Sequence, residues 1–171
     1  MSADEKSVAD AVPISFFRGR YEFLSNFHRC DVAISPSTLM LGDDLLVGPS
    51  QGIEVYPTSE HAFQAGKTFD ANERRRVREA DIPSRAKGMG RRVKLRPDWE
   101  QVKEEVMLVV LRAKFSDDGL ARLLLDTGER PLVEGNTWGD SEWGCVQRGG
   151  AWVGENKLGK ALEIVRAELR R

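Results

Sequence analysis

Cysteine is nearly missing from this chain of 171 residues, which holds only Cys30 and Cys145. Their spacing matches no zinc site and builds no disulfide framework, so a reducing cytosol fits best, with both thiols as small buried residues. Histidine is as scarce: His28 and His61 lack the spacing of a ligand set, and neither a metal nor a cofactor is implied. His61, beside Glu60, reads as a hydrogen-bonding helper. No apolar run is long enough to cross a bilayer, and residues 1–12 are polar and acidic, which reads as a frayed tail rather than a signal peptide. The glycine-rich stretch of residues 134–160 lacks GK[ST] and the strand-to-helix spacing of the dinucleotide fingerprint, so it gives no nucleotide triphosphatase pattern. An excess of one charge is lacking too. With a formal net charge of -1 there is no overall pull toward nucleic acid or membrane, so an anionic partner must be met by a local patch.

Apolar residues at 40% and charged residues at 31% are the balance of a globular protein, and the length suits one core. The expectation is a single domain over residues 13–171, of α+β class, mostly helical with a small β-sheet. Ile14 to Phe17 and Tyr21 to Phe27 read as a hairpin, or as a strand followed by a loop; Asp31 to Ile34 and Ile53 to Tyr56 read as strands. Residues 35–52 read as a variable hairpin or loop. Trp99, Val102, Val106, Val109, Val110 and Ala113 keep helical spacing and predict the longest helix, opened by Pro97 and Asp98 and running to about Phe115. Shorter helices are predicted from Asp117 or Asp118 to Leu125 and from about Glu155 to Arg170, with a short extended segment at Pro131 to Glu134.

Three stretches carry candidate chemistry. Pro57 to Phe69 predicts a helix capped by Thr58 or Ser59, with Ala62, Ala65 and Phe69 on one arc and Glu60, Gln64 and Lys67 on the other. That polar stripe is either a solvated face or a carboxylate, an amide and an amine lined up for chemistry. Between Asn72 and Arg96 the arginines and lysines far outnumber the acids. The run is either a solvated helix face or a patch able to hold phosphates, and without aromatics it has no stacking platform for bases. Residues 134–160 gather seven glycines and three of the four tryptophans. They form either a loop wall around a base or a loop pinned to the core by its indoles. Asp140, between Trp138 and Trp143, is a candidate general acid or base, and Gly154 to Asn156 open the last helix where unpaired amides would favour a pyrophosphate.

The blocks FFRGRYEFLSNF, YPTSEHAFQAGK, AKGMGRR, LRAKF, LLLDTG, GDSEWG and GENKLGKALEIVR, in this order, resemble the NADAR family, associated with NAD and ADP-ribose. The resemblance runs from Ile14 nearly to the end. It implies a mixed α and β fold, mostly helical, and cleavage of the bond between ribose C1 and a base nitrogen. It places the family's glutamate on Glu60, its lysine on Lys67, its helix-opening tryptophan on Trp99 and its aspartate on Asp140. By that resemblance Lys67 is the nucleophile that forms a Schiff base with the opened ribose, Glu60 orients it and Asp140 moves protons. Asn26 and Phe27 would meet ribose or base, Trp143 the base, and Arg18, Gly154 and Asn156 the phosphates, with Gln64 on the same stripe as the lysine. Where the family commonly has an aromatic two places after the glutamate, this chain has Ala62 before Phe63, which leaves more room. The implied partner is ADP-ribose or an ADP-ribosylated nucleotide, with nucleic acid held through the basic run from Arg74 to Arg96. A ribosylamino-pyrimidine of riboflavin synthesis is the competing substrate, and a non-catalytic ADP-ribose reader the competing class.

Overall fold

The structure is a computed structural model that describes residues 12–42 and 52–171. The expected N-terminal tail falls almost wholly outside these residues, as do residues 43–51 of the stretch read as a variable hairpin or loop. In chain order the elements are β1 (Ile14–Ser15), a 3-10 helix (Gly19–Leu24), β2 (Val32–Ile34), α1 (Pro36–Met40), β3 (Glu54–Tyr56) and α2 (Ser59–Ala65). These are followed by α3 (Ala71–Arg78), α4 (Pro83–Gly90), α5 (Trp99–Lys114) and α6 (Asp118–Leu125). The chain ends with β4 (Leu132–Val133), β5 (Gly135–Asn136), β6 (Cys145–Arg148), β7 (Ala151–Val153) and α7 (Lys157–Glu168). The fold is therefore mixed α and β. No helix among the described residues is long and apolar enough to cross a membrane.

Two compact units divide these elements, one of residues 26–120 and one of residues 1–25 with 121–171. In the first, β2 and β3 pair antiparallel, Val32 opposite Tyr56 and Ile34 opposite Glu54, and α2, α3, α4 and α5 pack around one another. Its core is built by alternation and by helical spacing: Val32 and Ile34 are buried on one face of their strand, and Val106, Met107, Val110 and Leu111 on one face of α5. Each such side chain, taken from water, is worth about 1.5–3 kcal/mol. The start of the stretch expected to be a variable hairpin or loop holds α1 instead. Ser35 accepts a hydrogen bond from the Thr38 amide and Pro36 opens the helix, a start signal that sits in plain sight among turn residues.

In the second unit β1 runs parallel to β4, and α7 covers β4 with Leu158, Leu162 and Val165 buried. The stretch expected to be a loop, either a wall around a base or pinned to the core by its indoles, holds a three-stranded sheet in the order β5, β6, β7, with the β6–β7 hairpin turning at Gly149 and Gly150, both at positive φ. Residues Tyr21 to Phe27 are not a strand: a 3-10 helix buries Phe23 and Leu24 and exposes Arg20 and Glu22 before them. The hairpin alternative does not hold, and the strand β1 is followed by a 3-10 helix rather than a plain loop.

Candidate active site

The polar stripe of α2 is not a solvated face. Glu60 is 5% exposed and Gln64 4%, and every residue from Ser59 to Ala65 is buried. The helix is shorter than the sequence predicts, ending at Ala65, and Phe69 lies beyond it, 40% exposed, against the Arg96 guanidinium. The N-cap is Thr58: its hydroxyl oxygen accepts from the His61 amide at 3.2 Å. His61 Nε2 lies 3.0 Å from the Ala80 carbonyl, which can only accept, so Nε2 carries the proton and Nδ1 accepts from the Thr58 hydroxyl at 2.7 Å. Burial holds this imidazole toward its neutral form. His61 is thus an internal brace of the helix start.

On that rigid turn, Gln64 Nε2 donates to Glu60 Oε1 at 2.8 Å, and the Glu60 amide donates to the Asn26 carbonyl at 2.9 Å. The Gln64 side chain is held in place by α4, because Gly90 presses so closely on it that a Cβ there would overlap the amide. Burial pushes the Glu60 carboxyl above its usual range, opposed by Lys87, by the Gln64 hydrogen bond, and by Lys67 and Arg91. Two buried carbonyl oxygens, Gln64 Oε1 and Asn26 Oδ1, have no partner among the described residues. Buried acceptors are rarely left so, and these two suit the N–H groups of a ligand.

Lys67 stands just past the end of α2, half-buried. Its carbonyl accepts from the Arg96 amide at 2.8 Å, and Arg96 is itself fixed by a two-pronged bond to Asp98 and a bond to the Met40 carbonyl. The ammonium lies 5.6 Å from the Trp99 ring centre and 5.9 Å from that of Phe63, and the two rings are 5.1 Å apart. Burial drives the Lys67 pKa below its usual value; Glu60 opposes the shift, while Lys87 and Arg91 add to it. An amine desolvated beside two rings, with other cations near it, is held toward the neutral form in which a lysine is nucleophilic. Phe27 joins the same unit, with the Lys87 ammonium 5.9 Å from its ring. Lys87 and Arg91 of AKGMGRR are functional candidates that the sequence reading counted only as part of the basic run; their spacing from Gly90 on α4 was the available signal.

Arg18, Asp140, Trp143, Gly154 and Asn156 belong to the other unit. There the Asp140 carboxylate accepts from the amides of Glu142 and Trp143 at 3.1 and 3.0 Å, and Trp138 beside it is 67% exposed. The expected pyrophosphate cradle at the start of α7 is corrected by the hydrogen bonding. The amides of Glu155, Asn156, Lys157 and Leu158 donate to the carbonyls of Ser141, Gly144, Glu142 and Trp143 and are not free for an anion. Asn156 spends its side chain on β4 and the residue after it, accepting from the Glu134 amide and donating to the Leu132 carbonyl. Gly154 is needed for close approach to the backbone of Gly144 and Cys145. Arg18 is exposed, its guanidinium 4.6 Å from the Phe16 ring centre.

The basic run also divides. Arg74 is buried and donates to the Phe69 carbonyl, Arg78 pairs with Glu54 at 3.0 Å, and Arg96 is the internal brace described above. Arg75, Arg76, Arg85, Arg91, Arg92 and Lys94 remain exposed.

The fold is of mixed α and β architecture, and one of its units gathers Glu60, Gln64 and Lys67 along and just past α2. The family profile described as NADAR domain matches residues 15–170. The N-glycosidase YbiA of Escherichia coli (strain K12) is 45% identical over 119 residues, 68% of this chain and 72% of that protein. The riboflavin biosynthesis protein VVA0006 of Vibrio vulnificus is 32% identical over 163 residues, 92% of this chain and 39% of that protein. The N-glycosidase Npun_R5314 of Nostoc punctiforme is 38% identical over 121 residues, 67% of this chain and 75% of that protein. The NMR structure of Escherichia coli YbiA superposes with a TM-score of 0.72 at 35% identity, covering 94% of this chain and 86% of that one. The chain belongs to the NADAR family.

Proposed function

We propose that this protein removes ADP-ribose from ADP-ribosylated guanine, in nucleic acid, through a Schiff base on Lys67. The chain is a hydrolase of N-glycosyl bonds, the activity named for its relatives at 45% and 38% identity. The observation that carries the reading is the desolvated Lys67 amine, its pKa lowered by burial, beside the buried Glu60 carboxyl. When the glycosylated nitrogen is an exocyclic amine, its lone pair can open the sugar ring to an imine at C1. Lys67 adds to that carbon; the base nitrogen takes up a proton and leaves as a free amine; C1 stays bound to Lys67 as a Schiff base. Water then adds to C1 and the sugar departs as its aldehyde, restoring the amine. Glu60 accepts the proton lost by Lys67 and returns it to the departing nitrogen. The unpartnered oxygens of Gln64 and Asn26 would accept from the ring N–H and amino groups of the base. The exposed arginines of residues 75–92 would meet the nucleic-acid backbone.

A second substrate is favoured by specific observations. A relative spanning 92% of this chain is named a riboflavin biosynthesis protein, and three arginines of the basic run are consumed inside the fold. A ribosylamino-pyrimidine would undergo the same chemistry at its exocyclic amine. The test is to incubate the protein with guanine-ADP-ribosylated DNA and, separately, with the ribosylamino-pyrimidine phosphate, in the presence of cyanoborohydride. Reduction should leave a sugar adduct on the peptide containing Lys67 with the true substrate, and Lys67→Ala should release no product. Undiminished turnover in Lys67→Ala sinks the covalent scheme. Turnover of the pyrimidine alone moves the protein to the riboflavin branch.

A further inference from the structure

The reaction proposed above leaves one cation of the first unit without a task. Lys87 stands three places before Gly90 in the last turn of α4, and residues three apart on a helix share a face. That face is turned to α2, because Gly90 lies against the Gln64 amide. The Lys87 ammonium is 5.9 Å from the ring centre of Phe27, which is 42% exposed and follows Asn26 in the chain. Asn26 in turn meets α2, its carbonyl accepting from the Glu60 amide at 2.9 Å. Burial raises the Glu60 carboxyl, and Lys87 is first among the groups that oppose it, ahead of Gln64, Lys67 and Arg91. All these residues belong to the unit of residues 26–120.

The ammonium is uncommitted. Among the described residues half-buried Lys87 makes no hydrogen bond and no ion pair, so its three N–H donors are available. The unpartnered groups near it, Asn26 Oδ1 and Gln64 Oε1, are acceptors. A flat base beside Phe27 can therefore give N–H groups to the two amide oxygens and take a hydrogen bond from Lys87 on a carbonyl oxygen. The chemistry makes that oxygen important. When the bond from C1 to the exocyclic nitrogen breaks, its electron pair goes to that nitrogen. If the nitrogen is conjugated with a ring carbonyl, the charge spreads to the carbonyl oxygen until Glu60 returns the proton. A cation placed on the oxygen is stronger for the departing base than for the bound one, which is the condition for catalysis.

We propose that Lys87 is a catalytic residue for the leaving group, donating a hydrogen bond to a ring carbonyl oxygen of the departing base and making the site selective for bases that carry one. The assignment rests on the reading above that the bond cleaved joins C1 to an exocyclic amine. It is tested with two N-glycosides of ribose 5-phosphate, one of 2-aminopyrimidin-4-one and one of 2-aminopyrimidine, which lacks the carbonyl. Lys87→Met lowers kcat on the first about 100-fold, with a smaller change in KM, and leaves the second within about threefold of the parent. Lys87→Arg, which keeps cation and donors, recovers at least about a tenth of the parent rate. Equal losses on both glycosides mean that Lys87 acts only through Lys67 or on a phosphate, and overturn the proposal, as does no loss on either. A second arm needs no turnover: the two free bases are titrated into the full chain and followed by amide chemical shifts. Lys87→Met weakens 2-aminopyrimidin-4-one about tenfold and 2-aminopyrimidine not at all, and equal behaviour of the two bases overturns the contact. If the parent cleaves neither glycoside, the exocyclic-amine reading fails, and the titration still decides whether Lys87 meets the carbonyl.

Discussion

Lys67 and Glu60 are shifted in opposite directions from their free values by the same cause, removal from water. For Glu60 the folded pKa is raised, so its contribution to stability is fully present below the free value of about 4.3 and is lost as pH rises through the folded pKa. Glu60→Gln has no such loss. The stability difference between Glu60→Gln and the parent, measured by denaturant unfolding, should therefore move in the variant's favour as pH rises from 4 toward neutrality. A flat difference would contradict the burial. The same substitution removes the carboxylate that supports the Lys67 charge, so Lys67 in Glu60→Gln should lose its proton at still lower pH, readable from the pH dependence of its reaction with an acylating reagent. Activity should fall about 100-fold or more with the loss of a proton-transfer group. Asp140 offers a separate test. Asp140→Asn keeps an oxygen able to accept from the Glu142 and Trp143 amides, so thermal stability should stay within about 0.5 kcal/mol of the parent. Activity lost at unchanged stability makes Asp140 a proton mover, and activity retained confines it to shaping the loop.

At the scale of the element, α2 was recognisable by its cap and its spacing, whereas its burial was not. A stripe of Glu60, Gln64 and Lys67 reads in one dimension as a surface, because nothing local records that α4 and α5 fold over it. The paired clue lay far along the chain. Gly90 is a poor helix residue by propensity, and its value emerges only where its missing side chain lets the Gln64 amide close against α4. Gly90→Ala should cost about 1–3 kcal/mol through overpacking, and catalysis should fall further than stability explains because Gln64 holds Glu60. Measuring activity well below the midpoint of thermal unfolding separates the two. The longest helix, α5, was legible almost to the residue from its apolar spacing. The sheet of β5, β6 and β7 was not, since its strands are two to four residues long and broken by glycine. There, tertiary hydrogen bonds outweigh local propensity.

At the scale of the whole molecule, the formal charge of -1 hides a basic run that is only partly available. With Arg74, Arg78 and Arg96 engaged internally, contact with two or three phosphates is the reasonable expectation for a nucleic-acid substrate. Counterion release then predicts that raising salt from about 50 to 200 mM weakens a DNA-linked substrate about ten- to fortyfold. A free mononucleotide substrate should change several-fold less, and equal responses in steady-state KM would remove the nucleic-acid component of the proposal. The loop from Ser141 to Gly144 is held along its whole length. Its four carbonyls each receive an amide from residues 155–158, so this glycine-bearing segment is stitched to the first turn of α7. Hydrogen exchange at those four amides should follow the opening of the helix as one cooperative unit, orders of magnitude slower than a surface loop. A segment that composition reads as loop is, by its bonding, part of the framework of α7.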